Sequence, residues 1–235
     1  MSNTPQQTSR CFDDIPGTPV NHDEPLFFYH QDRPFGEFSQ WSRSTFVVSK
    51  ERITEVTQID TAVKEIEGPA DLLTFGCAEQ FMMYCKAVRF GDRDAQRAIL
   101  ATPDPSKQKG LGQRVRGFTE EGWDAVKSAV VETGSYHKCN QSAKLRRLLL
   151  STGNKLLVEA ATRDRIWGIG YSASTALGHR DEWGENRLGW ALMHVRALLR
   201  AEDEQALASK TAKVAKTGES ASGRRSERLA RKGGQ

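Results

Sequence analysis

Long apolar runs are missing from this 235-residue chain, and so are the short motifs that announce most enzyme classes. No stretch approaches the ~20 apolar residues of a membrane span, and the opening MSNTPQQTSRCFDDIPGTPV has no apolar signal core. A cytosolic protein without a membrane partner is expected. The four cysteines, Cys11, Cys77, Cys85 and Cys139, form no CxxC pair and have no histidine at zinc spacing, which argues against a disulfide framework and a metal site. His30, His137, His179 and His194 are scattered, without a second ligand at helical spacing. No G-x-x-x-x-G-K-[ST] loop, H-E-x-x-H helix or G-x-S-x-G elbow occurs, which weakens kinase-like, metalloprotease and α/β-hydrolase readings.

Charge is present but segregated. The formal net charge is +4, yet residues 210–235 hold eight Lys/Arg against two acids, leaving 26 basic and 28 acidic side chains in the body. Basicity therefore belongs to the tail. Residues 206–235, rich in Lys, Ala, Gly, Ser and Arg, read as disordered, and residues 1–24 as a flexible arm with too few apolar groups to offset the entropy of ordering. One domain is expected between them, over 25–205.

Within that domain, residues 26–30 (LFFYH) and 45–48 (TFVV) are β-rich runs that suggest one small sheet. Residues 49–74 are weakly patterned, with β-branched alternation near Ile53–Ile59. From residue 78 the period changes: Ala78, Phe81, Met82, Cys85 and Val88 share one helical face. Asp92 caps a second helix ending before Pro103, and residues 107–114 (KQKGLGQR) read as a glycine- and cation-rich loop. Thr119 caps a helix stopped at Gly134, with Trp123, Val126 and Val130 inward. Asn140 opens another, with Leu145, Leu148 and Leu149 inward. Leu156-Leu157-Val158 is long enough only for a strand or core segment. Leu188, Leu192, Val195 and Leu199 mark a final helix beginning near Asn186 and fading after Leu207. The fold class expected is α+β, mainly helical with a small sheet.

Residues 159–200 hold the densest mixture of aromatics, glycines and charges: Arg163-Asp164-Arg165, then Trp167 beside Gly168 and Gly170, then Trp183, Gly184 and Asn186. That mixture describes a concave site for a flat polar ligand better than a core. Glu79, beside Phe81, Met82 and Met83, is a candidate for a desolvated carboxylate suited to proton transfer. Lys86 lies seven residues on, about 10 Å along the same line at ~1.5 Å rise per residue. Singly, Glu79 reads as a helix-surface acid, Asp164 as a turn residue, and Trp123 and Trp167 as core. Together they provide two carboxylates and two flat faces, a set able to hold a base-like ring and break its bond to a sugar.

Ordered blocks over about residues 26–200 carry a resemblance: CAEQFMMYCKAVRFGD, KGLGQRVRGF with EEGWDAV, HKCNQSAKLRRLLLSTGNKLLVEA, RDRIWGIG and WGENRLGWALMHVRALL. In this order they resemble the NADAR family of YbiA-like N-glycosidases. The resemblance implies a YbiA-like single domain and hydrolysis of an N-glycosidic bond, in ribosylamino-pyrimidine phosphates of riboflavin synthesis or in ADP-ribose joined to guanine in nucleic acid. It places catalytic carboxylates at Glu79 and Asp164. Substrate contacts fall at Trp123, Trp167, Gly168, Gly170 and Asn186, with Lys86 and Arg114 meeting phosphate. No metal and no cofactor are implied. This chain departs from the family pattern at Gln40, Gln113, Cys139 and Ser142. An alternative is a module that binds ADP-ribose or a related nucleotide without cutting it, and the basic tail is a candidate nucleic-acid contact.

Overall fold

The computed structural model describes residues 19–59 and 66–230, with side chains in the last helix as far as Thr211. In chain order the elements are β1 (Asn21–Phe28), β2 (Phe46–Ser49), α1 (Lys50–Thr57), β3 (Leu72–Phe75), α2 (Ala78–Arg89), α3 (Arg93–Ala101), α4 (Pro105–Gly112), α5 (Glu120–Asp124), α6 (Lys127–Asn140), α7 (Ala143–Ser151), β4 (Lys155–Glu159) and α8 (Arg187–Ala230). Helix dominates and the strands are short, as the periodicities predict. The chain divides after Arg196 into two units, Met1–Arg196 and Ala197–Gln235.

The two early β-rich runs do not share a sheet. β1 pairs in parallel with β4, Leu26 opposite Leu157 and Phe28 opposite Glu159, whereas β2 pairs antiparallel with β3, Phe46 opposite Phe75. A parallel pair needs a long crossover, and here most of the domain is that crossover. β1 starts at Asn21, inside the stretch expected to be a flexible arm, because Asn21 donates its N–H to Asn154 O at 2.6 Å. The remainder of that arm, residues 1–18, lies outside the described residues. The outer edge of β2 is closed by a side chain: Gln141 accepts from Val47 N at 2.8 Å and donates to Val47 O at 2.7 Å, as a neighbouring strand would.

Helix α2 is the centre of the core. Ten of its twelve residues are buried, so the single stripe read from the sequence is too narrow. A helix buried nearly all round must be covered on every side, and α2 packs against α1, α3, α4, α5, α6 and β3. Phe75, Phe81 and Tyr84 interlock at its inner face, Phe75 meeting Phe81 edge-on at 5.2 Å and Tyr84 at 5.5 Å. Two neighbours come close because they present no side chain. A Cβ at Gly112 of α4 would fall 2.0 Å from Met83 Sδ, and one at Gly134 of α6 would fall 2.7 Å from Phe81 Cδ1.

Several local expectations change for identifiable reasons. Residues 50–57 are helical despite Ile53, Thr54, Val56 and Thr57, because Ser49 caps them by accepting from Arg52 N and burial rewards Ile53 and Val56 on one face. The supposed loop at 107–114 is mostly α4, capped by Asp104 with Pro105 at its first position. Thr119 caps a helix as expected, but it breaks at Ala125–Val126, and Gly134 lies inside α6 rather than ending it. Asn140 closes α6, and Ser142 caps α7. The segment expected to be unstructured from residue 206 continues α8 to Ala230. It is rich in Ala, Lys and Arg and has no proline, and each glycine costs a helix only about 1 kcal/mol; residues 231–235 fall outside the described residues.

At the start of α8, Asn186 takes a left-handed conformation (φ 51°) and ties the helix to β4, accepting from Glu159 N at 3.0 Å and donating to Leu157 O at 2.8 Å. A Cβ on Gly189 would fall 2.1 Å from that same Leu157 O. Gly189→Ala should therefore lower stability by about 1–3 kcal/mol or more, since the obstructing atom is backbone. Gly110→Ala, in α4 with nothing within 4 Å of its would-be Cβ, should leave stability unchanged or raise it by up to about 1 kcal/mol. Chemical denaturation of the two variants checks the contrast.

Candidate active site

Because β1 and β4 run parallel, both deliver their C-terminal ends to the same edge. Tyr29 and His30 leave β1 there, and Glu159 ends β4 beside them with Ala161 just beyond. A cavity of about 520 Å3 opens at this edge. Its floor comes from α2, where Glu79, Met82, Met83 and Lys86 follow the i, i+3, i+4, i+7 spacing of one face. Lys109 and Gln113, four apart at the end of α4, and Trp123 of α5 form another wall. Ser39, Gln40 and Trp41 supply a third, and Arg163, Asp164 and Trp167 a fourth.

Two loops are pinned to make these walls. The first follows a 3-10 turn at Gly36–Phe38, and the buried Lys138 ammonium holds it by donating to Glu37 O and Ser39 O, both at 2.8 Å. Gln40 O then accepts from Glu79 N at 3.0 Å, locking the loop to the first turn of α2. In the second loop, Asp164 Oδ1 accepts from Ile166 N at 2.9 Å and Trp167 N at 2.8 Å, folding the chain back on itself. Gly168 lets this turn lie against β4, where a Cβ would stand 2.7 Å from Glu159 O. Ile169 N donates to Glu159 O at 3.0 Å, and Leu188 N to Trp167 O at 3.1 Å. The loop is thereby fastened both to β4 and to the start of α8.

Electrostatically the cavity sets carboxylates deep and cations mostly near the mouth. Glu79 is buried at 6% exposure. Desolvation raises its pKa from 4.5 to about 7, opposed by the Lys109 charge and a hydrogen bond from Trp41, and reinforced by Asp164. Glu159 is raised to about 8, chiefly by burial and then by Asp164 and Glu79, with Lys109 opposing. Lys86 lies with its ammonium 3.9 Å from the Phe118 ring centroid and 6.0 Å from that of Trp123, and burial pulls its pKa down. Lys109 and Arg163 are exposed at the rim. Two buried polar atoms of the lining, Gln40 Oε1 and Glu159 Oε2, have no hydrogen-bond partner among the described residues.

Of the residues singled out from the sequence, Glu79, Lys86, Trp123, Asp164 and Trp167 all line this cavity. Arg114 does not: Lys109 of α4 and Gln113 at its C-terminal cap line the cavity, whereas Arg114, in the turn after the helix, is exposed to solvent. Gly168 and Gly170 act behind the wall. Gly170, at φ 79°, packs against Arg165. Asn186 is also off the wall, both ends of its amide being taken by β4. The departures from the family pattern divide in the same way. Gln40 and Gln113 face the cavity, whereas Cys139 is a buried free thiol and Ser142 a helix cap. Trp41, Lys109 and Glu159 line the cavity without having been singled out as site residues, and Arg163 was noted only as part of the 159–200 stretch. A lone acid closing the apolar run Leu156-Leu157-Val158 is the one sequence signal that marks Glu159.

A carboxyl whose pKa is higher folded than unfolded contributes stability that is complete below the unfolded value and is lost as pH rises through the folded one. For Glu79 that window runs from 4.5 to about 7. Glu79→Gln should therefore melt close to the wild type near pH 5 and above it near pH 8.5, by up to roughly 3 kcal/mol. Thermal melts of both proteins across that range test the sign.

The same chain matches, over residues 27–200, the family model described as the NADAR domain. Among curated proteins it is 40% identical over 135 residues to N-glycosidase R617 of Acanthamoeba polyphaga mimivirus, covering 57% of this chain and 79% of that one. It is 33% identical over 119 residues to N-glycosidase YbiA of Escherichia coli K12, covering 51% and 69% respectively. Among solved structures, the NMR structure of E. coli YbiA superposes with a TM-score of 0.56 at 26% identity, covering 79% of this chain and 90% of that one. With the family model spanning most of the domain and the YbiA fold matching its architecture, the chain belongs to the NADAR domain family.

Proposed function

We propose that this chain is an N-glycosidase that hydrolyses the C1′–N bond of a ribosylated, phosphorylated base. The observation that carries this reading is the placement of buried Glu79 at the floor of a cavity walled by Trp41, Trp123 and Trp167 and rimmed by Lys109 and Arg163. Its volume, about 520 Å3, lies in the range of small-molecule sites. The named relatives R617 and YbiA are N-glycosidases, in keeping with that chemistry.

In this mechanism the base lies against the Trp167 face, and the phosphate meets Lys86, Lys109 and Arg163. As the C1′–N bond lengthens, the ribose becomes oxocarbenium-like. A negative Glu79 stabilises that charge and takes a proton from the attacking water. With a pKa of about 7, Glu79 is poised between its two states near neutrality, as a general base requires. Asp164, its Oδ1 held by two backbone N–H groups, positions the ribose or the water. Gln40 Oε1, buried and unpaired, offers an acceptor to a hydroxyl or amino group, relieving a desolvation cost of about 1–3 kcal/mol.

The substrates that this chemistry fits are ribosylamino-pyrimidine phosphates and ADP-ribose joined to guanine. On a nucleic-acid substrate the basic segment at 210–235 would add salt-dependent affinity. Incubating the protein with each and measuring released base decides between them, and binding of either without release would identify a non-hydrolytic nucleotide module instead. Glu79→Gln should slow single-turnover cleavage by about 10²–10³ while leaving substrate affinity nearly intact, because the charge it faces develops in the transition state. Trp167→Ala should do the reverse, weakening binding by about 1–3 kcal/mol through lost stacking. Full turnover by Glu79→Gln would falsify its assignment.

A further inference from the structure

Hydrolysis of a bond to a basic nitrogen leaves one requirement that Glu79 does not meet. The electrons of the C1′–N bond depart with the base, and the nitrogen needs a proton as they arrive. A carboxyl group that lines the same cavity, stands apart from Glu79 and has an oxygen not committed to another bond is the feature to look for. Glu159 has each property. It ends β4 at the cavity edge, it belongs to a different wall from Glu79, and its Oε2 is buried with no hydrogen-bond partner among the described residues. Its backbone is held from both sides, Asn186 Oδ1 accepting its N–H at 3.0 Å and Ile169 donating to its carbonyl at 3.0 Å. The backbone that carries the carboxyl to the cavity edge is therefore fixed at both its N–H and its carbonyl.

We infer that Glu159 is the proton donor to the departing base. The inference rests on the N-glycosidase reading above. In the balanced step, water oxygen bonds to C1′ and gives a proton to the Glu79 carboxylate. The C1′–N bond breaks with its electron pair moving to nitrogen, and the Glu159 carboxyl proton follows that pair. Ribose leaves with the new hydroxyl and the base with the new N–H. Return of a proton from Glu79 to Glu159 through solvent restores the starting state.

The electrostatic surroundings supply the required protonation. Glu79 from α2 and Asp164 from its loop face Glu159 with like charge, Lys109 from α4 opposes them, and Tyr29, His30, Lys86 and Arg163 complete the ionisable lining. Burial and the two acids together hold the proton on Glu159 up to about pH 8, above the value near 7 at which Glu79 gives up its own. Activity on a substrate with a basic leaving nitrogen should rise as Glu79 ionises and fall as Glu159 does.

Glu159→Gln keeps the shape and removes the transferable proton. On a ribosylamino-pyrimidine 5′-phosphate or a guanine-linked ADP-ribose, whichever the wild type cleaves, it should slow release by about 10²–10⁴-fold and abolish the alkaline fall of the pH profile. A ribosyl-pyridinium 5′-phosphate, whose leaving group departs neutral without a proton, should suffer a loss smaller by at least an order of magnitude. Circular dichroism and melting near pH 5 confirm that the variant is folded. A folded Glu159→Gln that matches the wild-type rate, or keeps the alkaline fall, overturns the assignment while the hydrolase reading stands. A wild type that releases base from none of these substrates overturns both.

Discussion

Desolvation of one carboxylate shapes most of what surrounds the cavity. Glu79 lies in the first turn of α2, where the helix dipole and free N–H groups favour a negative charge, and yet its pKa is raised, because burial outweighs them. That burial follows from enclosing α2 on nearly every side. Gly112 and Gly134 let α4 and α6 approach, and the Phe75, Phe81 and Tyr84 cluster fills the far face. An acid placed so expensively must be held by a stable framework, and the aromatic packing of α2 provides it.

The remaining walls show how a helical core acquires a precise site from irregular chain. Lys138 replaces the missing regular structure of residues 36–41 by anchoring two carbonyls from inside the protein. Burial pulls its pKa to about 8, so its positive charge is itself maintained at some cost, one that makes sense where the loop it orders carries Gln40 and Trp41 to Glu79. Across the cavity, Asp164 uses its own side chain for a similar purpose and presents Trp167 at the end of the turn. Neither loop depends on a single bond, and both are fastened to regular elements at each end.

Local signals in the sequence translate well into structure, and distant pairings do not. The caps Asp92 and Thr119, the apolar period of α2 and the Leu188, Leu192, Val195 spacing of α8 are local, and all are found where they were read. Residues 50–57 misled because β-branched side chains disfavour a helix only slightly, and tertiary burial reverses the preference. Glycines misled at 110–112 and 134 for another reason: close helix packing, not a turn, makes use of Gly112 and Gly134. In the site, family blocks brought Glu79, Trp123, Asp164 and Trp167 to attention. Nothing local announces that β1 and β4 end together, so Glu159, at the end of β4, stayed hidden. Arg114 misled in turn because a motif names neighbours, while the turn after α4 leaves Gln113 on the cavity and Arg114 in solvent.

Chemically identical side chains can hold different protonation states only if their environments differ, and the two glutamates of this cavity are treated differently. Glu79 receives a hydrogen bond from Trp41 and the attraction of Lys109, both of which favour its anion. Glu159 has the attraction of Lys109 without such a bond; Asp164 and Glu79 both repel its charge, and its Oε2 is unpaired. Ionisation of Glu79 therefore makes ionisation of Glu159 harder, and one negative charge is favoured over two. A base and an acid coexisting near neutral pH is the arrangement that bond cleavage at a glycosidic nitrogen demands. Part of the division comes from Trp41 on the 39–41 loop, which favours the Glu79 anion, and so the order imposed by Lys138 on that loop bears on the protons of the cavity.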